Sequence, residues 1–205
     1  MLITFSGLDG AGKSTLVRWL QQTLERQHRR VVVFHMNDHV GVYAYLRRLR
    51  NQLGGAPPRN GGTGALRRVR DALLWGRLLR RVIYPLDLLL FFVYRLYHEF
   101  LRRRVVIMDR YFYDTLVDVA DGRHWAVLRL LQWLTPTPDL AVLLDVGPEE
   151  SYARKRDYPV EYLRSRWLAY HTVFPWVRGA LVIKNDDLHT AQQAVAQLVG
   201  ERLAA

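Results

Sequence analysis

Residues 7–14 read Gly-Leu-Asp-Gly-Ala-Gly-Lys-Ser and fit the pattern G-x-x-x-x-G-K-[ST]. Glycines at 7, 10 and 12 let the backbone curl until successive N–H groups face one point, which makes a nest for phosphate oxygens at a helix N-terminus. Lys13 would reach the β- and γ-phosphates of ATP, and the Ser14 hydroxyl would bind Mg²⁺. The residues expected around the nucleotide are therefore Gly7, Asp9, Gly10, Ala11, Gly12, Lys13, Ser14 and Thr15.

Such a loop works only between a strand and a helix, and both flanks are legible. Leu2–Ser6 is a short apolar run, and after the loop Leu16, Leu20 and Leu24 recur every four residues, with Gln21, Gln22 and Glu25 opposite. Four more apolar runs, Val31–His35, Val105–Met108, Leu140–Asp145 and Leu181–Lys184, have the pattern of parallel strands covered on both faces. Pro148, Glu149 and Glu150 suit the first turn of a helix, and Leu188, Val195, Leu198, Val199 and Leu203 form the stripe of a last one. Strands alternating with helices predict an α/β fold: a three-layer α/β/α P-loop NTPase with a five-stranded parallel sheet. Gly54 to Gly64 interrupts this order as an aperiodic loop, and it is not a domain linker because three strands still follow it.

Further motifs resemble those of thymidylate kinases and their relatives among the nucleoside monophosphate kinases. They are the acid at the third position of the loop, Asp109-Arg110-Tyr111 at the end of the third strand within DRYFYD (109–114), and Leu144-Asp145-Val146-Gly147-Pro148-Glu149. The resemblance implies a single kinase domain over 1–205, with the phosphate-binding loop at 7–14 and a lid at about 153–162. It implies that Asp9 bonds a sugar hydroxyl of the acceptor, Asp109 stands beside the Mg²⁺ water shell, and Arg110 holds the acceptor phosphate with Tyr111 beside it. A carboxylate at the carboxyl end of a strand beside the P-loop strand also faces the crevice where open α/β sheets bind ligands.

Phosphoryl transfer needs positive charge around the γ-phosphate more than covalent help. In some thymidylate kinases an arginine for this task stands where this chain has Gly10; in others it comes from the lid. Arg154-Lys155-Arg156 precede Asp157-Tyr158-Pro159, a turn that breaks a helix, so Arg154 and Arg156 are the expected lid cations, followed by Arg164 and Arg166. Phe91 and Arg95 have the spacing of the family's base-stacking pair, whereas the usual Arg-Glu-Pro-Gly-Gly-Thr stretch is replaced by His35-Met36-Asn37-Asp38-His39-Val40-Gly41. His35 and His39 read as a loop at the active-site rim, and Asp38 is placed where a nucleoside kinase keeps a base.

Composition narrows the classes. The 205 residues are 50% hydrophobic with a net charge of +11, and among 30 basic residues only Lys13, Lys155 and Lys184 are lysines. Arginine supplies planar forks suited to phosphate. With no cysteine, thiolate nucleophiles and Cys-ligated zinc are excluded. No signal peptide or membrane span is read, so a cytoplasmic protein is expected. The aromatic, leucine-rich stretch 73–101 is read as core helices with a homodimer contact rather than as a membrane surface. The leading expectation is an ATP- and Mg²⁺-dependent transfer of the γ-phosphate to a nucleoside monophosphate, dTMP among them, or a related small phosphorylated acceptor. One alternative is a nucleoside or other hydroxyl kinase. The other is a basic ATP-binding P-loop protein switching on nucleic acid or an acidic partner, which the charge permits but no nucleic-acid motif accompanies.

Overall fold

The structure, a computed structural model, describes residues 1–35, 83–119, 125–185 and 187–204. Five strands, β1 (Leu2–Gly7), β2 (Val31–His35), β3 (Val105–Asp109), β4 (Leu140–Asp145) and β5 (Ala180–Lys184), form one parallel sheet in the order β2-β3-β1-β4-β5. The three inner strands are buried along almost their whole length, while β2 and β5 are partly exposed edges. Apolar runs without alternation are what a sheet covered on both faces demands, and the expected α/β P-loop architecture is the observed one.

Among the described residues the α-helices are α1 (Lys13–Arg26), α2 (83–96, continued by a π-helical turn at Tyr97–Leu101), α3 (Phe112–Val119), α4 (Trp125–Leu134), α5 (Pro148–Arg154), α6 (Val160–Val173) and α7 (Leu188–Ala204). α1 buries the expected Leu16, Leu20 and Leu24, and packs on β2, β3 and α7. α3 packs against β1 and α6. Pro148 opens α5 and Pro159 caps α6, so the segment between them turns where the sequence predicts. Beneath α2 and α3 lies an aromatic cluster in which Phe91 meets Tyr111 and Phe112 at centroid separations of 5.6 and 5.3 Å. Gly54–Gly64, Asp38, His39 and the 73–82 part of the expected dimer helices lie outside the described residues. Among the described residues no helix is long and apolar enough to cross a membrane.

Candidate active site

β1 ends at Gly7, and the chain turns through the loop into α1, whose first-turn N–H groups have no intrahelical carbonyl to bond. Gly10 and Gly12 have φ of +92° and +86°, and a Cβ at either would come within 2.7 Å of the Ser151 carbonyl oxygen or 2.6 Å of Asn185 Nδ2. Side chains are excluded there by both conformation and space. The loop's carbonyls are bonded in turn. The Lys13 ammonium donates to the carbonyls of Gly7 (2.9 Å) and Leu8 (2.7 Å), Ser151 Oγ donates to that of Asp9, and Asn185 Nδ2 to that of Ala11 (2.6 Å). Burial, and then the neighbouring Arg110 charge, lower the Lys13 pKa to about 8.

The second wall comes from the end of β3. Arg110 follows Asp109 with φ +68°, a left-handed conformation uncommon for a residue with a side chain. Its N–H donates to the Phe5 carbonyl at 2.9 Å and its guanidinium pairs with Asp9. Burial opposes the Asp9 charge, but the Arg110 and Lys13 charges outweigh it and hold the carboxyl below its usual range. Ser14 Oγ donates to Asp109 Oδ2 at 2.6 Å, and His35 Nδ1 lies 3.4 Å from the same carboxylate oxygen.

Behind this wall sits a buried carboxylate that the motif contains but sequence reasoning gave no role. Asp114 accepts from Ser6 Oγ (2.6 Å), the Tyr111 N–H (2.9 Å) and Tyr170 Oη (2.6 Å), and lies 4.0 Å from Arg110. The bond to Tyr111 is the return half of a capping box, an acid at the third helical position reaching back to the N-cap N–H. Tyr170 Oη also lies 3.1 Å from the Gly7 carbonyl, so α6, α3 and the loop meet at one point. Burial, and then the Asp114 charge, push the Tyr170 hydroxyl far above its ordinary pKa, so it stays a donor.

Asp9, Gly10, Gly12, Lys13, Ser14, Thr15, His35, Asp109, Arg110, Arg154 and Lys155 line one cleft of about 380 Å³. Its four cationic side chains outnumber its two carboxylates, which suits a polyanion. Nine of the expected site residues thus converge. Gly7 and Ala11 serve the loop through their backbone carbonyls instead of lining the cleft.

Four expectations are corrected. Phe91 is fully buried in the aromatic cluster and has no face left for a base. Arg95 bonds Glu99 and the Thr137 carbonyl (3.1 Å), beside the Met1 amino group and so at the start of β1, away from its loop end. Tyr111 is likewise buried, its hydroxyl donating to the Pro136 carbonyl at 2.6 Å. Arg156 is exposed outside the cleft, and Lys155 lines it instead. Of the secondary lid candidates, Arg164 pairs with Glu149 at 2.5 Å and Arg166 with Asp118. Arg154 remains, donating to Glu150 (2.6 Å) and to the Asn185 carbonyl (2.7 Å).

Comparison with known proteins agrees with this architecture. A family model described as an AAA domain matches residues 1–87. A thymidylate kinase of Chlorobium luteolum is 33% identical over 168 residues, covering 76% of this chain and 66% of that enzyme. The thymidylate kinase of Ralstonia nicotianae is 32% identical over 171 residues, covering 76% and 70%. A probable thymidylate kinase of Thermococcus gammatolerans is 27% identical over 227 aligned positions, covering 99% and 97%. The chain spans about two thirds of the length of the Chlorobium relatives, 66% and 65%. Sharing about a third of its aligned residues with enzymes so named, the chain belongs to the thymidylate kinase family.

Proposed function

We propose that this chain is an ATP- and Mg²⁺-dependent phosphotransferase, one kinase domain over 1–205, that passes the γ-phosphoryl group of ATP to a nucleoside monophosphate, with dTMP the first candidate. The observation that carries this reading is the convergence of Lys13 and the Ser14–Asp109 pair with the Asp9–Arg110 pair in one cleft. The first set suits a nucleoside triphosphate, the second an anionic acceptor.

In the transfer, an acceptor phosphate oxygen forms a bond to the γ-phosphorus as the bond to the β-phosphate oxygen breaks, leaving ADP and a nucleoside diphosphate. Lys13 and the loop N–H groups hold the donor phosphates, and Arg110 holds the acceptor phosphate in line. Arg154 and Lys155 add charge where it builds up in the transition state. Asp9 fixes the Arg110 guanidinium and faces the acceptor's sugar. A phosphate acceptor is already anionic, so no base must remove a proton. A hydroxyl and a carboxylate 2.6 Å apart are hard oxygen donors, and among the described residues no three-residue His, Asp or Glu cage accompanies them. That fits Mg²⁺, which keeps several waters and completes its shell with phosphate oxygens. Ser14 and Asp109 would hold the ion, which would supply positive charge to offset that of the donor phosphates.

The His35–Asp109 contact favours a second reading, a hydroxyl kinase in which the carboxylate takes the acceptor's proton. Assaying label transfer from γ-labelled ATP to nucleoside monophosphates and to nucleosides separates the two. Transfer to monophosphates alone supports the first reading; transfer to nucleosides alone replaces it.

On α2, Leu86, Leu89, Leu90, Val93 and Phe100 recur at helical spacing on the exposed side, with Leu89 61% and Phe100 70% exposed. We assign this stripe to a homodimer contact in the cytoplasm, where ATP and nucleotides are supplied. Light scattering should report a dimer that Leu89→Arg with Val93→Arg converts to monomer; an unchanged mass would remove the assignment.

A further inference from the structure

Two of the donors holding the phosphate loop come from far along the chain. Ser151, fully buried in α5, donates to the Asp9 carbonyl across 142 residues. Asn185, which follows β5 and is 3% exposed, donates through Nδ2 to the Ala11 carbonyl across 174 residues. These same two residues are the nearest neighbours of the missing side chains at Gly10 and Gly12. The loop backbone is therefore pressed against both, with no room for a Cβ between.

A peptide unit turned so that its C=O points outward turns its N–H the opposite way. Bonding the Asp9 and Ala11 carbonyls from outside thus aims the N–H groups of Gly10 and Gly12 into the cleft. We propose that Ser151 and Asn185 are positioning residues that set the phosphate loop's N–H groups for a triphosphate without touching it. Arg154 extends the arrangement, because it lines the cleft and donates to the Asn185 carbonyl. The arginine of α5 and the amide that steadies the loop are joined in one network. Asn185 Oδ1 is buried and has no hydrogen-bond partner among the described residues, so only the Nδ2 end of this amide is used in the loop contact. Its exchange for a carboxylate oxygen would set two acceptors against each other at the Ala11 carbonyl.

The proposal rests on reading the loop as a triphosphate cradle, and its test separates the two ideas. Calorimetry with inorganic tripolyphosphate, and with ATP and Mg²⁺, is run on wild type, Ser151→Ala, Asn185→Asp and Ser151→Thr. Thermal melting is followed alongside, and the KM values for ATP and for the acceptor are measured separately. Losing one hydrogen bond to the loop should weaken tripolyphosphate and ATP about tenfold in Ser151→Ala and in Asn185→Asp. The acceptor KM should not move, and Ser151→Thr, which keeps the hydroxyl, should bind as wild type does. Folded variants that bind tripolyphosphate like wild type would overturn the positioning role and leave the kinase reading intact. So would KM values for both substrates rising in parallel with a fall in melting temperature. Wild type that binds tripolyphosphate but transfers no phosphate would defeat the kinase reading and leave the positioning role standing. Wild type that binds no triphosphate at all would end both.

Discussion

On the phosphate-loop side of the cleft the loop and its flanks are local in sequence, a strand, three glycines, a lysine and an amphipathic helix within residues 2–26, and only the donors that brace it, Ser151 and Asn185, come from afar. On the β2 side only His35 reaches the cleft among the described residues, and the expected base clamp of Phe91 and Arg95 is spent on packing and on ion pairs. The comparison separates two kinds of requirement. Holding a triphosphate is a backbone problem with few solutions, so the pattern survives intact. Recognising an acceptor's base is a side-chain problem with many solutions, and here the Phe91–Arg95 pair is not free to meet it.

The sharpest way to break this comparison is at the loop. Lys13→Ala removes the charge proposed to face the donor phosphates and should lower kcat/KM by about a hundredfold to a thousandfold, read by initial rates. Loss of less than about tenfold would mean that the loop is not the donor site.

The buried lysine also makes a pH prediction. Its pKa is lowered to about 8 from an ordinary 10.5, chiefly by burial. Below about pH 8 both folded and unfolded chains carry the charge, and its burial costs the fold fully. Between about 8 and 10.5 the folded chain has released the proton and the unfolded chain has not, so stability rises with pH, by about 3 kcal/mol in all. Urea titrations at pH 7.5 and 9.5 should show wild type gaining on Lys13→Met across this window. A constant difference would show that the ammonium is not destabilised by the fold.

Gly10→Ala tests the loop's geometry. A methyl at φ +92° and 2.7 Å from the Ser151 carbonyl oxygen should cost about 1–3 kcal/mol of stability and weaken ATP binding. A neutral result in both would remove the contact between the loop and α5. The smallest effect belongs to the other half. Phe91→Leu should lose about 1–2 kcal/mol of stability and leave the acceptor KM unchanged, since the ring packs on Tyr111 and Phe112. A raised acceptor KM at unchanged stability would restore the clamp.

Much of the fold was legible because parallel strands announce themselves as short apolar runs. All five were read to within a residue at each end, and Pro148 and Pro159 mark helix starts by removing an N–H that no partner needs. The glycine loop and Asp109-Arg110 were legible for the same reason, being local backbone devices. Ser151, Asn185 and Asp114 were not, because a hydrogen bond across 142 or 174 residues leaves no periodicity at either end. Asp114 did leave a trace, three residues after Tyr111 at a helix start, where an acid suits a capping box. The Phe91–Arg95 pair misled because its i, i+4 spacing fits a ligand clamp and a helix packed in a core equally well.

The central claim is that donor and acceptor phosphates are held by different cations of one cleft, Lys13 and Arg110. An initial-rate matrix varying ATP and the nucleoside monophosphate independently, run on Lys13→Ala and Arg110→Ala, tests it most directly. The expected result is a raised ATP KM in the first variant and a raised acceptor KM in the second, each with the other constant little changed. If Arg110→Ala leaves the acceptor KM where it was, or raises the ATP KM alone, the division of the cleft argued from Asp9, Arg110 and Lys13 is wrong.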